Sequence, residues 1–331
     1  MVASAGTFSA ASLRLDAAAE TDRIARALRK IILQTLKRRG AVLGLSGGID
    51  SSVTAALCVR AVGPERVVGL LMPETDSAAV TTGLGKLLAE RLGIRSITED
   101  ITPILEAAGC YSRRDAAIKS VIPEYGPGYK SKIVLPGGLD NESYKVFSVV
   151  VQSPSGQQTR SRLTSEAYLA ILAATNFKQR VRKMLEYHYA DRFQYAVAGT
   201  PNLAEYDQGF FVKLGDGAAD VKPIAHLYKT QVFQLAEYLG VPEEIRRRPP
   251  TTDTYSLAQS QEEFYFSLPY AQLDMCLYGL NHNVPIGEVA VAVGLTTEQV
   301  ERVYRDINSK RRVTAYLHQP PVLVGEIHST D

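Results

Sequence analysis

The chain is read as an α/β protein, a doubly wound parallel sheet with flanking helices, and three observations predict that class. Short apolar runs alternate with helix-patterned stretches through the first hundred residues, as in successive βαβ units. A Gly-Gly turn joins the first apolar run to the helix that follows it. Another such run, Phe193-Gln194-Tyr195-Ala196-Val197-Ala198, returns much later and again ends on a glycine, Gly199.

Taken in order, residues 20–39 form an amphipathic helix with Ile24, Leu28, Ile31, Ile32 and Leu36 toward a core and Arg or Lys elsewhere. Ala41-Val42-Leu43-Gly44-Leu45 has the unbroken apolar character of a buried parallel strand. Ser52 to Val62 is apolar at helical spacing, Val67 to Met72 is a second strand, residues 78–93 are a helix stopped at Gly93, and a short strand lies near Ile94 to Ile97. Between about Tyr111 and Thr164 the pattern breaks, with Gly-Pro-Gly at 126–128, Pro-Gly-Gly at 136–138 and Ser-Pro-Ser-Gly at 153–156. Tyr144 to Gln152 within it reads as an exposed or edge strand. Helical character returns over 165–190, 226–239 and 242–248, and 257–316 is mostly helical. The expected organisation is therefore a first half of the α/β core (1–110), an inserted β-rich segment (111–164), the second half of the core (165–256) and a helical C-terminal region (257–331).

At 331 residues and 45% hydrophobic, the chain can bury one large core with an appended unit. Its 37 basic and 35 acidic residues give a net charge of +2, so no electrostatic reason exists to expect nucleic acid or an acidic membrane as partner. The run Arg246-Arg247-Arg248 reads as a solvated helix end. Cys58, Cys110 and Cys276 are too far apart for a CxxC metal site and too few for a disulfide framework, which fits a reducing compartment. Residues 1–13 lack a basic start followed by an apolar core, and no stretch is long enough to span a bilayer. A soluble, cytoplasmic protein is expected.

Ser46-Gly47-Gly48-Ile49-Asp50-Ser51 occupies the first strand-to-helix turn. Two glycines let the backbone approach an anion, the helix start offers unpaired N–H groups and the positive end of its dipole, and the serines add hydroxyl donors. This is a phosphate cradle. A Walker loop places Lys directly before its Ser or Thr, but here Asp50 stands there, and a carboxylate beside phosphates implies a bridging cation, Mg²⁺. In these residues the chain resembles the ATP pyrophosphatase superfamily, of adenine nucleotide alpha hydrolase-like fold. Its SGGxDS loop holds ATP so that a substrate oxygen attacks the α-phosphorus and pyrophosphate leaves. Ser46, Gly47, Gly48, Asp50 and Ser51, with Met72 at the end of the second strand, are the resulting ATP-binding candidates.

Gly199-Thr200-Pro201-Asn202-Leu203-Ala204-Glu205 follows a predicted strand, which places Thr200 and Glu205 on the same rim. Glu205 reads either as a second carboxylate for the cation or as an acid that opens a helix and complements its dipole. The Gly- and Asp-rich stretch from Phe210 to Asp220, then Leu227-Tyr228-Lys229-Thr230-Gln231, resembles the ammonia-dependent NAD synthetase family. So do Asn176-Phe177-Lys178-Gln179-Arg180-Val181-Arg182 upstream, and Pro249-Pro250-Thr251-Thr252-Asp253 and Lys310-Arg311-Arg312 with Pro320-Pro321 downstream.

The resemblance implies a homodimer that uses ATP and Mg²⁺ to adenylate the carboxylate of nicotinic acid adenine dinucleotide, ammonia then displacing AMP. It assigns Asp50 and Glu205 to the metal, and Thr200, Lys229 and Thr251 to the phosphates and leaving pyrophosphate, with Asp50, Lys229 and Thr251 the catalytic set. Asn176, Arg180, Arg182, Phe210, Lys213, Asp216 and Asp220 fall to the dinucleotide. Arg180 and Arg182 lie two apart on a helix, so only one is expected to meet a carboxylate or phosphate directly. No protein nucleophile is needed, and none of the histidines, His226 included, receives a role. No glutaminase is recognisable around the three cysteines, so ammonia arrives free or from a separate glutaminase.

The chain departs from the family pattern on the substrate side. Leu214 stands where the family has Tyr, Thr252-Asp253-Thr254-Tyr255 leads to Gln259-Ser260-Gln261-Glu262-Glu263 where a Gln-Thr-Asp-Glu stretch is usual, and residues 111–164 exceed the corresponding connection of small members. An amide synthetase for another carboxylic acid is the resulting alternative. From a different class, Ile286 to Val300 has the helix-Gly-helix look of a helix-turn-helix followed by Arg302, Arg305 and Lys310, the signature of a nucleotide-sensing regulator.

Overall fold

The computed structural model describes residues 8–134, 147–251, 254–266 and 268–325. Four strands form a parallel sheet: β1 (Ala41–Gly44), β2 (Val67–Leu71), β3 (Arg95–Thr98) and, after the insertion, a two-residue strand, Ala196–Val197. An antiparallel sheet is made by β4 (Lys130–Val134), β5 (Ser148–Gln152) and β6 (Gln158–Arg162), which makes Ala196–Val197 β7. The orders are β3-β2-β1-β7 and β4-β5-β6. The helices are α1 (Ala17–Lys30), α2 (Ile49–Val62), α3 (Ala79–Leu92), α4 (Thr102–Ala107), α5 (Cys110–Lys119), α6 (Ser165–Phe193), α7 (Leu203–Asp207), α8 (Lys229–Tyr238), α9 (Glu243–Arg246), α10 (Tyr270–Asn281), α11 (Ile286–Val293) and α12 (Thr297–Thr314).

Strand alternation sends successive residues to opposite faces. Ala41, Leu43, Val67, Leu71 and Ala196 enter a core with α1, α2 and α8, while Val42, Val68, Leu70 and Val197 enter another with α4, α5 and α6. Both faces are covered, as a parallel sheet requires. The doubly wound arrangement expected from the sequence is the one observed.

The strand expected at 144–152 is present over Ser148–Gln152, and residues 144–146 lie outside the described ones. It is the central strand of its sheet and its three valines are buried, so the edge assignment is corrected. Val149 and Val151 join Ile118, Ile133, Leu163 and Ile171 in a separate core beneath α6. The helix-turn-helix read at 286–300 also forms, with Gly294 at φ 69° between α11 and α12. Its apolar residues Val289, Val293, Val300, Val303 and Ile307 are buried with α10 in a fourth core. The motif is thus part of a helical wing.

Candidate active site

The carboxyl ends of β1, β2 and β7 open into a cavity of about 530 Å³. Its floor is the turn from β1 into α2. Gly47 has φ 69°, and a Cβ there would lie 2.7 Å from the carbonyl oxygen of Thr81, so only glycine suits the position. Gly48 ends the turn as the residue before α2, with no side chain capping the helix. The Oγ atoms of Ser46 and Ser51 lie 3.1 Å apart, and Ser51 donates to the Gly48 carbonyl at 3.0 Å. Uncapped N–H groups at a helix start are what an anion needs.

Asp50 sits in the first turn of α2 and accepts from two neighbours: the ammonium of Lys229, and Asn202 Nδ2 at 3.2 Å. Lys229 opens α8 and is almost wholly buried (1% exposed), with its Nζ 5.1 Å from the centre of the Tyr270 ring. A lysine so deep is costly without a paired charge, and Asp50 supplies it. Glu205 takes the helix-opening role, and its carboxylate also borders the cavity. As the third residue of α7 it forms a capping box with Asn202, accepting from the Asn202 N–H at 3.1 Å while its own N–H donates to Asn202 Oδ1 at 3.2 Å. Its other carboxylate oxygen accepts from Gln261 Nε2 at 3.0 Å. Burial and then the neighbouring charge of Asp50 push the Glu205 carboxyl up to about 8, opposed by Lys229.

Ser46, Gly48, Asp50, Ser51, Met72, Asn176, Arg180, Arg182, Thr200, Glu205, Phe210, Lys213, Asp216, Lys229 and Thr251 all line this one cavity. Gly47 lies beneath it, packed on Thr81 and Leu84. Asp220 is not among the lining residues: it accepts from the Val197 N–H at 2.8 Å and from the Tyr187 hydroxyl at 3.2 Å, which fastens the segment after β7 to the sheet. Both Arg180 and Arg182 border the cavity. The helix crosses the mouth, so Arg180 reaches the Lys213 carbonyl at 3.4 Å on one side and Arg182 the Met72 carbonyl at 3.4 Å on the other. Lys213 donates to the carbonyls of Tyr316 and Gln319 at 2.7 and 3.2 Å. Asp216 accepts from the Val212 N–H at 2.8 Å, and burial raises its carboxyl above the usual range. Leu214, the departure from the family turn, has φ 61° and is 72% exposed, so it points away from the cavity. Residues 252–253 of the downstream motif lie outside the described ones.

Several lining residues were not singled out from the sequence. Arg248, assigned above to a solvated helix end, lines the cavity and donates to Thr251 Oγ1 at 3.3 Å. Lys183 and Glu186 form a buried pair at 2.6 Å beside Gly44. Asn202 was quoted within a motif but given no role, although its spacing to Glu205 is that of a capping box. Among the described residues no cluster of three or more His, Cys, Asp or Glu side chains has metal-binding geometry. Asp50 and Glu205 together supply two hard oxygen donors, which suits a Mg²⁺ ion that takes its remaining ligands from phosphate and water.

A family model described as NAD synthase matches residues 20–120 and 143–314. The NH(3)-dependent NAD(+) synthetase of Mesorhizobium japonicum is 60% identical over 315 residues, spanning 95% of this chain and 99% of that one. The NH(3)-dependent NAD(+) synthetase of Thermotoga maritima is 36% identical over 251 residues, 76% of this chain and 83% of that one. Among solved structures, NMN synthetase from Francisella tularensis superposes with a TM-score of 0.65 at 24% identity, covering 94% of this chain and 99% of its own. NH3-dependent NAD synthetase from Campylobacter jejuni, in complex with the nitrate ion, superposes with a TM-score of 0.61 at 22% identity, covering 94% and 100%. At those identities the structural likeness establishes the shared fold alone.

Proposed function

Because the chain belongs to the NAD synthase family, we propose that its cavity holds ATP and deamido-NAD together and converts the latter to NAD with ammonia, releasing AMP and pyrophosphate. The observation that carries this reading is the convergence of Asp50, Glu205, Asn202 and Lys229 beside the uncapped start of α2. In the first step a carboxylate oxygen of the dinucleotide attacks the α-phosphorus and the bond to the β-phosphate breaks. In the second, the nitrogen of ammonia attacks the acyl carbon, the bond to AMP breaks and a proton leaves the nitrogen.

The chain contributes position and charge to both steps. The N–H groups at the start of α2 and the hydroxyls of Ser46 and Ser51 hold the phosphates. Lys229 offsets the negative charge that grows on departing pyrophosphate, with Thr200, Thr251 and Arg248 along its path. Arg180, Arg182, Asn176 and Phe210 orient the dinucleotide. Asp50 and Glu205 would hold Mg²⁺, which supplies neutralisation of the triphosphate. Ammonia is the nitrogen source for this chain, free or handed over by a separate glutaminase. All three cysteines are buried and burial pushes the Cys58 thiol up to about 12, which leaves it no nucleophilic character. Of the basic residues on which the regulator alternative rests, Lys310 is engaged within the fold, donating to the Tyr265 carbonyl at 2.7 Å and pairing with Asp306 at 2.8 Å. The homodimer belongs to this reading as well, and sedimentation checks it. Among the described residues no helix is long and apolar enough to cross a membrane.

The deciding experiment combines the protein with ATP, Mg²⁺, ammonium and nicotinic acid adenine dinucleotide and follows nucleotides by chromatography. AMP and NAD should appear in equal amounts. ADP with orthophosphate would reject the mechanism, and AMP formation only with a different carboxylic acid would reject the substrate.

A further inference from the structure

Residues 254–261 form neither a long helix nor a strand, yet they end on the groups that face the phosphates. Ser260 forms an antiparallel bridge with Thr251, and Gln261 Nε2 donates to Glu205 Oε1 at 3.0 Å. The placement of Thr251 and Glu205 therefore depends on what holds this segment.

Two anchors do so. The first is Lys178 of α6, which is 1% exposed. Its ammonium has three donors and three acceptors at hand: Glu74 Oε1 at 2.9 Å, Asp76 Oδ2 at 2.6 Å and the backbone carbonyl of Thr254 at 2.9 Å. Glu74 also accepts from the Tyr111 hydroxyl at 2.7 Å, and Asp76 from Arg114 at 2.5 Å, so two acids face two bases in the interior. Replacing such a network with apolar side chains is often neutral or stabilising, so stability alone gives little reason to keep it. The carbonyl contact does give one, because it is the bond that reaches a segment lacking a helix or sheet ladder of its own.

The second anchor is the inserted sheet. β4 is an edge strand, and its outer side holds the same segment: the Leu257 N–H donates to the Ser131 carbonyl at 3.1 Å, the Ser131 N–H to Ser256 Oγ at 2.9 Å, and Gln259 Nε2 to the Ile133 carbonyl at 2.5 Å. An edge strand otherwise offers a row of unpaired backbone groups. Here the row fastens residues 256–259.

We propose that Lys178 and the edge of the inserted β-sheet together are the positioning device for residues 254–261, and so set Thr251 and Glu205 for ATP chemistry. The inference rests on the proposed function for the roles of Thr251 and Glu205 and for its activity readout, while the anchoring of residues 254–261 stands apart from it. Lys178 is a positioning residue: it acts through the Thr254 carbonyl and through the loop of Glu74 and Asp76, which leads into Ser77 and Thr81 on the cavity wall.

The test compares the full chain with Lys178→Met and Ser256→Ala, by hydrogen exchange of peptides over residues 254–261 and by steady-state kinetics. In Lys178→Met exchange there should quicken ~10-fold or more while the peptides of β1, β2 and α2 keep their protection, and kcat/KM for ATP should fall ~10–100-fold, the scale of loss when a reacting group is misplaced by about 1 Å. Ser256→Ala should move both readouts in the same direction by less. A folded Lys178→Met with wild-type exchange over 254–261, or with wild-type kcat/KM, overturns the proposal. Should Lys178→Met not fold, Ser256→Ala decides by the same criteria. The wild-type reaction run alongside tests the functional reading separately, and the exchange measurement does not depend on it.

Discussion

Asn202 holds Asp50 from across the sheet: its side-chain amide donates to Asp50 Oδ1 at 3.2 Å, while its own backbone N–H donates to Glu205. One fully buried residue thereby ties together the two carboxylates at the cavity floor.

Asn202→Ala should therefore lose on two counts. Losing the helix cap costs about 1 kcal/mol of stability, read as a lower urea midpoint. Loosening Asp50 and Glu205 should raise the Mg²⁺ concentration needed for half-maximal turnover by about 10-fold, the equivalent of ~1.4 kcal/mol. A magnesium titration of the variant checks this.

Asp50→Asn removes one of the two carboxylates proposed to hold Mg²⁺ but keeps an oxygen that can accept from Lys229. Turnover should fall by at least ~10²-fold, the range for deleting an electrostatic contact at a reacting centre, with unchanged circular dichroism. Near-normal AMP release from a folded variant would refute the assignment of Asp50.

Gly47→Ala places a methyl group 2.7 Å from the Thr81 carbonyl oxygen at a residue with φ 69°. Strain of about 1–3 kcal/mol is expected. The turn can relieve it only by leaving Thr81, so ATP affinity should fall along with the melting temperature. Calorimetric titration with ATP and a thermal melt give the two numbers.

Stability should also depend on Asp274, which accepts from the Thr230 N–H at 2.7 Å at the start of α8 and whose other oxygen has no hydrogen-bond partner. Burial raises this carboxyl from 3.8 to about 6. The folded state then holds a proton that the unfolded chain has released, so the sign is a loss of stability as pH rises from about 4 to about 6, and a plateau above. The loss attributable to this group is on the order of 2–3 kcal/mol. Asp274→Asn keeps the acceptor for Thr230 and should flatten that slope, as denaturant melts across pH 4–7 would show.

The parallel sheet and the glycine turn after β1 were legible because their signals are local: unbroken apolar strands, then glycines where the backbone must turn left-handed. Lys229 was legible only through family resemblance, since nothing in its neighbours along the chain indicates that it is buried against Asp50 nearly two hundred residues away. Arg248 was misread because a basic run usually ends in water, whereas the Pro249-Pro250 bend turns it toward Thr251. The bond from the Val197 N–H to Asp220 was not legible either, because it joins the last acid of the Gly- and Asp-rich turn to a strand more than twenty residues earlier. Tyr144 to Gln152 was placed at an edge because the sequence does not reveal which strands will flank it, and pairing partners are a long-range property. The Lys178 network lay inside a recognised motif, yet its partners come from three separate parts of the chain.

The 29 residues of α6 form one rod about 43 Å long. Asn176, Lys178, Arg180, Arg182, Lys183 and Glu186 are spaced along it like teeth on a key. Adding or deleting one residue at its midpoint would rotate every later tooth by about 100°, and no local repacking could restore both ends. An insertion or deletion within it should therefore disturb the cavity more than any single exchange of side chain, whereas the connections on either side can change length without turning these residues.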